Sequence, residues 1–135
     1  MDYRIAILAV GLMLVVFASN AQEKTSSQRP LENGKTVYDT YCLSCHQSDG
    51  SGIPNLAPPL VKGEYVNGEK DRLIDIVLKG MEGVTIKGET YFNPMPPFDY
   101  LSDQEIADVL TYIRANFENS GSAVVADEVK ARRSQ

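Results

Sequence analysis

Cys42-Leu43-Ser44-Cys45-His46 is the stretch on which the reading of this chain turns. Two cysteines at i and i+3 lie on one face of a helical turn, so both thiols can reach the two vinyl groups of a single porphyrin. The histidine directly after Cys45 is carried under the ring, where its Nε2 can bind iron from the proximal side. The pentapeptide therefore reads as the attachment signature of one c-type haem, held covalently through Cys42 and Cys45.

Cys-x-x-Cys also serves as a dithiol redox pair or as half of a zinc site. The chain has only two cysteines and one histidine, so four zinc ligands would require carboxylates that nothing near the motif supplies. A dithiol oxidoreductase places its motif after a strand in an alternating βα chain, whereas the residues around Cys42 read as helix and Gly/Pro loop. The haem reading is favoured over both.

Arg4 precedes the apolar run Ile5 to Phe17, and Ala18, Ser19 and Ala21 follow it, the layout of a secretory signal cleaved after Ala21. The run is shorter than the roughly 20 residues of a spanning helix. Residues 1–21 are thus expected to be a signal peptide and the product exported, periplasmic and without a spanning segment. A membrane tether through an uncleaved segment is the alternative. Residues 22–30 read as a polar linker. The net charge is −5 and no basic stripe occurs, which argues against nucleic-acid binding. What remains is of single-domain length with a modest core, so a buried flat cofactor is expected to supply part of the interior.

The mature region shows no internal repeat and reads as all-α, with three main helices. The first runs from Leu31 through Cys45, with Val37, Tyr38 and Tyr41 on one side and Gly34 as a small contact point. The second covers 69–79, where Leu73, Ile76 and Val77 recur at helical spacing and Gly80 makes a stop. The third opens with a Ser102/Glu105 capping box, bears Ile106, Val109, Leu110, Ile113 and Phe117 on one face, and ends near Asn119-Ser120-Gly121. No strand pattern competes. The intervening loops, Gln47 to Leu60 and Met81 to Tyr100, are rich in glycine and proline and long enough to wrap the haem.

A low-spin iron needs a ligand opposite His46, and the lack of a second histidine excludes bis-histidine ligation within one chain. Of the four methionines, Met1 and Met13 belong to the export segment, leaving Met81 and Met95. Met95 stands between prolines that fix φ and stiffen its presentation, while Met81 follows a helix end and reads as core packing. Met95 is favoured.

These residues resemble the class I, mono-haem cytochromes c over 31–118. The resemblance rests on Gly34 and Tyr38 facing Val109 and Tyr112, on Cys-x-x-Cys-His, on Pro58-Pro59-Leu60, and on Tyr91 to Phe98 running into Leu101-Ser102-Asp103. It implies a cytochrome c fold in which the Pro58 carbonyl accepts the His46 Nδ1–H. The implied cofactor-binding set is Cys42, Cys45, His46, Pro58, Leu60, Tyr91, Asn93 and Met95, with His46 and Met95 on the iron. The chain has no tryptophan, which several family branches use on a haem propionate. Tyr65, Tyr91, Asn93 and Lys87 are candidates for that role, and each equally fits a surface position. Residues 119–135 form an extension similar to those on cytochromes that serve periplasmic dehydrogenases and terminal reductases, equally a solvated helical end or a docking segment.

The resemblance implies an electron carrier or an electron-transfer subunit rather than an enzyme, exchanging single electrons with a dehydrogenase, reductase or terminal oxidase. A haem enzyme would need an open distal site with acid/base residues, and a ligand sensor would need a displaceable Met95. Mass spectrometry of the purified protein checks the export reading: a product beginning at Gln22 is expected, and a mature species retaining Ile5 to Phe17 would establish the tether.

Overall fold

The computed structural model describes residues 28–135, in the order α1 (residues 28–41), α2 (Leu43–His46), α3 (Glu64–Asn67), α4 (Lys70–Lys79), β1 (Val84–Ile86), β2 (Glu89–Tyr91), α5 (Asp103–Ala115) and α6 (Ala126–Arg133). The signal segment 1–21 and linker residues 22–27 of the sequence reading lie outside the described residues. None of the described helices is long and apolar enough to cross a membrane.

Gly34, Val37 and Tyr38 put a notch and two apolar side chains on one side of α1, and that side crosses α5. The approach is close. A Cβ built on Gly34 would lie 2.1 Å from the Asp108 carbonyl oxygen and 2.7 Å from Tyr112 Cβ, so only glycine fits. Tyr38, 1% exposed, stacks against Tyr112 and Phe117 with ring centres 5.6 and 5.2 Å away. Its hydroxyl donates to the Gln47 carbonyl at 2.6 Å, which ties the crossing to the chain just beyond the Cys-x-x-Cys-His motif. Ile74 of α4 and Ile106 and Leu110 of α5 are fully buried and complete the centre of the core.

α4 begins and ends within a residue of the sequence reading and α5 begins at its capping box, because these terminal signals are local; α5 stops at Ala115, short of the end expected near Asn119, and Phe117, expected on its apolar face, lies beyond the helix at φ 53°. Gly80 closes α4 at φ 76°, and Ser102 with Glu105 forms both bonds of the capping box on α5. Elsewhere the structure differs. The single helix expected from Leu31 to Cys45 already includes 28–30, the last residues of the expected linker, and divides at Cys42. Cys42 still donates to the Tyr38 carbonyl and accepts from His46 N at 2.9 Å, so the chain keeps its direction across the break.

The loop from Met81 to Tyr100, read as free of strands, holds an antiparallel hairpin in which Thr85 pairs with Thr90. Its two-residue turn is Lys87-Gly88, with φ 52° and 83°. A primed turn flanked by Val-Thr-Ile and Glu-Thr-Tyr is a hairpin pattern, masked by lysine where asparagine or aspartate is usual.

The extension packs on the domain instead of hanging in solvent, and the boundary expected at 118/119 does not separate structural units. Val124 is 4% exposed and Val129 0%, both within the main core. Thr111 Oγ1 donates to the Val124 carbonyl and accepts from its N–H, each at 3.0 Å. Lys70 pairs with Glu128 at 2.9 Å, and the Arg132 guanidinium grips both carboxylate oxygens of Asp75. That bond holds the Asp75 carboxyl below its usual range, and Lys70 does the same for Glu128. Val129 is thus the buried contact of α6 with the core, while Val125 at its start is 55% exposed.

Gly34→Ala tests the crossing. The added methyl must push backbone apart, so a loss of about 3 kcal/mol is expected in thermal or denaturant unfolding of the haem-loaded protein. An unchanged midpoint would mean that α1 and α5 are not packed this way.

Candidate haem cleft

α2 is a single turn, and it sets three side chains around one point. The Cys42 side chain is largely buried, which pushes its thiol up to about 12, with Cys45 a smaller cause. His46 is 9% exposed, and its ring Nδ1 lies 3.1 Å from the Pro58 carbonyl oxygen. A carbonyl can only accept, so Nδ1 carries the proton and Nε2 keeps its lone pair. Burial lowers the His46 pKa against the opposing effect of the Pro58 bond, favouring the neutral imidazole that iron requires.

The loop that delivers Pro58 is fixed by its own backbone: Gly52 N donates to the His46 carbonyl at 3.1 Å, Ile53 and Ala57 pair, and Leu60 N donates to Gly50 at 2.8 Å. Beneath it open two adjoining hollows. Leu60, Tyr65, Ile76, Val77, Leu110 and Ile113 line the first, and Cys45, Leu56, Ala57, Tyr91, Asn93 and Pro94 the second. Cys42, His46, Pro58, Met81, Met95 and Phe98 border both, so the two hollows are parts of one cleft.

Opposite the histidine loop the backbone brings both candidate methionines together. Met81 N donates to the Met95 carbonyl at 3.0 Å and Met95 N returns the bond at 2.8 Å. Residues directly opposed in an antiparallel pair project to the same side, and both side chains border the cleft. Met81, read as a packing residue at a helix end, stands at the cleft wall beside Met95. Met95 also packs against the buried core cluster. Gly80 permits the pairing: a Cβ there would meet the Met95 carbonyl oxygen at 2.5 Å.

The four residues weighed for the carboxylates of a porphyrin fall in different places. Tyr65 lines the first hollow, Tyr91 and Asn93 the second. Tyr91 is 4% exposed and donates its hydroxyl to Glu89 at 3.0 Å. Lys87 borders neither hollow; its ammonium donates to the Lys62 carbonyl at 3.2 Å. Arg72, which the sequence reading passed over, has its guanidinium 3.6 Å from the centre of the Tyr65 ring. It sits among ordinary solvent-facing residues of α4, and no sequence spacing links it to Tyr65.

A flat apolar macrocycle fits this arrangement. The cleft is walled by aliphatic, aromatic and proline side chains, with a neutral imidazole and two thioethers along it and two thiols at its margin. Among the described residues no three His, Cys, Asp or Glu side chains gather as metal ligands.

Comparison with known proteins agrees. A family model described as Cytochrome c matches residues 31–116. The chain is 31% identical over 120 residues, 85% of its length, to the fructose dehydrogenase cytochrome subunit of Gluconobacter japonicus. It is 36% identical over 97 residues, 70% of its length, to the gluconate 2-dehydrogenase cytochrome c subunit of Pantoea cypripedii. It spans only 25% and 22% of those two proteins. Cytochrome c-552 of Thermus thermophilus is 33% identical over 114 residues, covering 76% of this chain and 86% of that protein. Proteins of the matched family carry haem c covalently on a Cys-x-x-Cys-His motif, and Cys42, Cys45 and His46 are this chain's copy of it.

Replacing Cys42 and Cys45 together by serine is expected to abolish covalent attachment. Acid-acetone extraction checks it: colour should stay with the wild-type polypeptide and leave the double variant completely.

Proposed function

The chain belongs to the cytochrome c family, and from that premise we propose that it is an exported, periplasmic electron carrier or electron-transfer subunit whose iron is held by His46 and Met95. The observation that carries this reading is that His46 and Met95 border the same cleft, the one with its Nδ1 tied to Pro58 and the other presented from a proline-stiffened segment. The group supplies one-electron exchange between ferrous and ferric iron when bound.

The residues do the rest. Pro58 fixes the tautomer and plane of His46, leaving Nε2 to ligate. Met95 would hold the iron opposite His46 through a soft thioether, a donor that favours the ferrous state. Phe98 and the aliphatic walls exclude water, which limits the solvent rearrangement that accompanies a change of charge. Tyr65, which lines the first hollow, and Arg72, which stacks on its ring, would supply a hydroxyl and a cation for the carboxylates of the bound group. Leu56, 49% exposed, lines the second hollow, and Phe92, 71% exposed, donates its N–H to the neighbouring Asn55 carbonyl; this exposed apolar pair is where we place brief contact with a redox partner. A periplasmic dehydrogenase is the partner class we favour as donor, following the relatives that are dehydrogenase cytochrome subunits.

The alternatives, a haem enzyme or a sensor, require acid/base groups beside an open sixth position or a displaceable Met95. Met81, Met95 and Phe98 offer no such group on the methionine side.

Substitution of each methionine decides the ligand. Met95→Ala should retain covalent haem, lose the far-red ferric sulfur-to-iron band, bind added cyanide and lower the midpoint potential. Met81→Ala should keep the band and lose less stability than the ~2 to 5 kcal/mol typical of a fully buried methionine, since Met81 is half-buried. A band that vanishes in Met81→Ala and survives in Met95→Ala reverses the assignment.

A further inference from the structure

The segment that carries Met95 has little regular backbone bonding of its own. Pro94, Pro96 and Pro97 have no N–H, and between Met95 and the start of α5 the backbone anchors on other elements are the Met81 pair and Phe98 N on the Val77 carbonyl at 2.9 Å. The carbonyls of Asp99 and Leu101, which follow, face neither helix nor strand. They are taken by one side chain from more than thirty residues away: Arg133 Nη1 donates to Asp99, Nη2 to Leu101 at 2.7 Å, and Nε to the Asp103 carboxylate at 2.8 Å. All three nitrogens of the fork are engaged.

The arm that holds this fork is itself anchored. α6 is fixed to α4 by Lys70–Glu128 and Arg132–Asp75, and to the core by Val129. α4 in turn supplies Val77, the acceptor for Phe98. A closed circuit results, from α4 through α6 and Arg133 to the 99–101 carbonyls, back through Phe98 to α4, and Phe98 borders the cleft. We infer that α6 exists to carry Arg133 to this point, and that Arg133 is a positioning residue for the sixth ligand, holding the far end of the Met95 segment so that its thioether stays on the iron. This rests on Met95 being that ligand. It gives residues 126–133 a role in ligand retention, although they lie beyond the part of the chain matched by the family model.

A planar fork is needed for two carbonyls and a carboxylate at once; an ammonium keeps the charge but cannot span them. Arg133→Lys therefore separates positioning from charge. The experiment uses the haem-loaded protein in its ferric form and follows cyanide uptake and the far-red band in Arg133→Lys, Met95→Ala and the double variant. Arg133→Lys should keep its covalent haem, lose the band at a lower temperature, and take up cyanide roughly three- to tenfold faster, the effect of loosening charge-assisted bonds at a half-exposed site. Met95→Ala should be faster still, and adding Arg133→Lys to it should change nothing. Asp103→Asn, which touches one of the three bonds, should move the rate in the same direction by less. Cyanide uptake unchanged in Arg133→Lys with a fast Met95→Ala overturns the positioning role and leaves the ligand reading intact. A double variant faster than Met95→Ala also overturns it, since Arg133 would then control access to the cleft. Slow uptake in Met95→Ala overturns the ligand assignment beneath both.

Discussion

The close contact between Gly34 and the Asp108 carbonyl fixes where everything else can lie. α1 ends in the Cys-x-x-Cys-His turn, and Val109, Leu110 and Ile113 of α5 line the first hollow. The distance at which these helices cross thus sets how deep the motif sits over the core. With a side chain at 34 the motif would ride outward, and His46 would leave the Pro58 carbonyl 3.1 Å away. The Tyr38, Tyr112 and Phe117 rings pack around the same crossing, and the Tyr38 hydroxyl holds Gln47, one residue past the histidine. Helix packing and histidine placement are one constraint.

Much of this was legible because its signals are short-range. The Cys-x-x-Cys-His spacing, the Ser102/Glu105 box and Gly80 each involve residues within one turn of chain, and local geometry enforces them whatever the rest does. The hairpin was hidden because Lys87 occupies a left-handed position more often filled by asparagine, aspartate or glycine. The pairing of Met81 was hidden for a different reason. Its place at a helix end was read correctly, but its register against Met95 depends on a pairing across 14 residues of chain, and no local pattern encodes it. Arg72 over Tyr65 and Arg133 over Asp99 and Leu101 are likewise contacts between elements, visible only once those elements are placed.

The extension shows how sparse a signal of packing can be. Val124 and Val129 are its buried side chains, and five residues apart they make no stripe that a periodicity argument would notice. The remaining contacts are charged. Lys70–Glu128 and Arg132–Asp75 are partly shielded pairs between helices, more favourable than fully exposed ones but still modest individually. What makes α6 part of the domain is their combination with Val129, which is fully buried.

A small domain wrapped around a large cofactor has a general difficulty: long loops carry carbonyl groups with no helix or strand to bond them, and leaving such groups buried and unpaired is costly. This chain meets it twice with an arginine. Arg114, 4% exposed, donates to the carbonyls of Val66, Gly68 and Ser122, joining α3 to the segment that leads into α6. Arg133 does the same for Asp99 and Leu101 beyond the methionine loop. A guanidinium has five donors in a plane and no acceptor, so it can serve several carbonyls that point toward a common centre, which neither lysine nor a neutral side chain can match. Val66 lines the first hollow and Phe98 borders both, so each arginine secures backbone next to residues that wall the cleft. The Pro58 loop is held by its own backbone, whereas the segments at 66–68 and 99–101 are held by arginines of α5 and α6, so the order of that part of the cleft depends on those helices being in place.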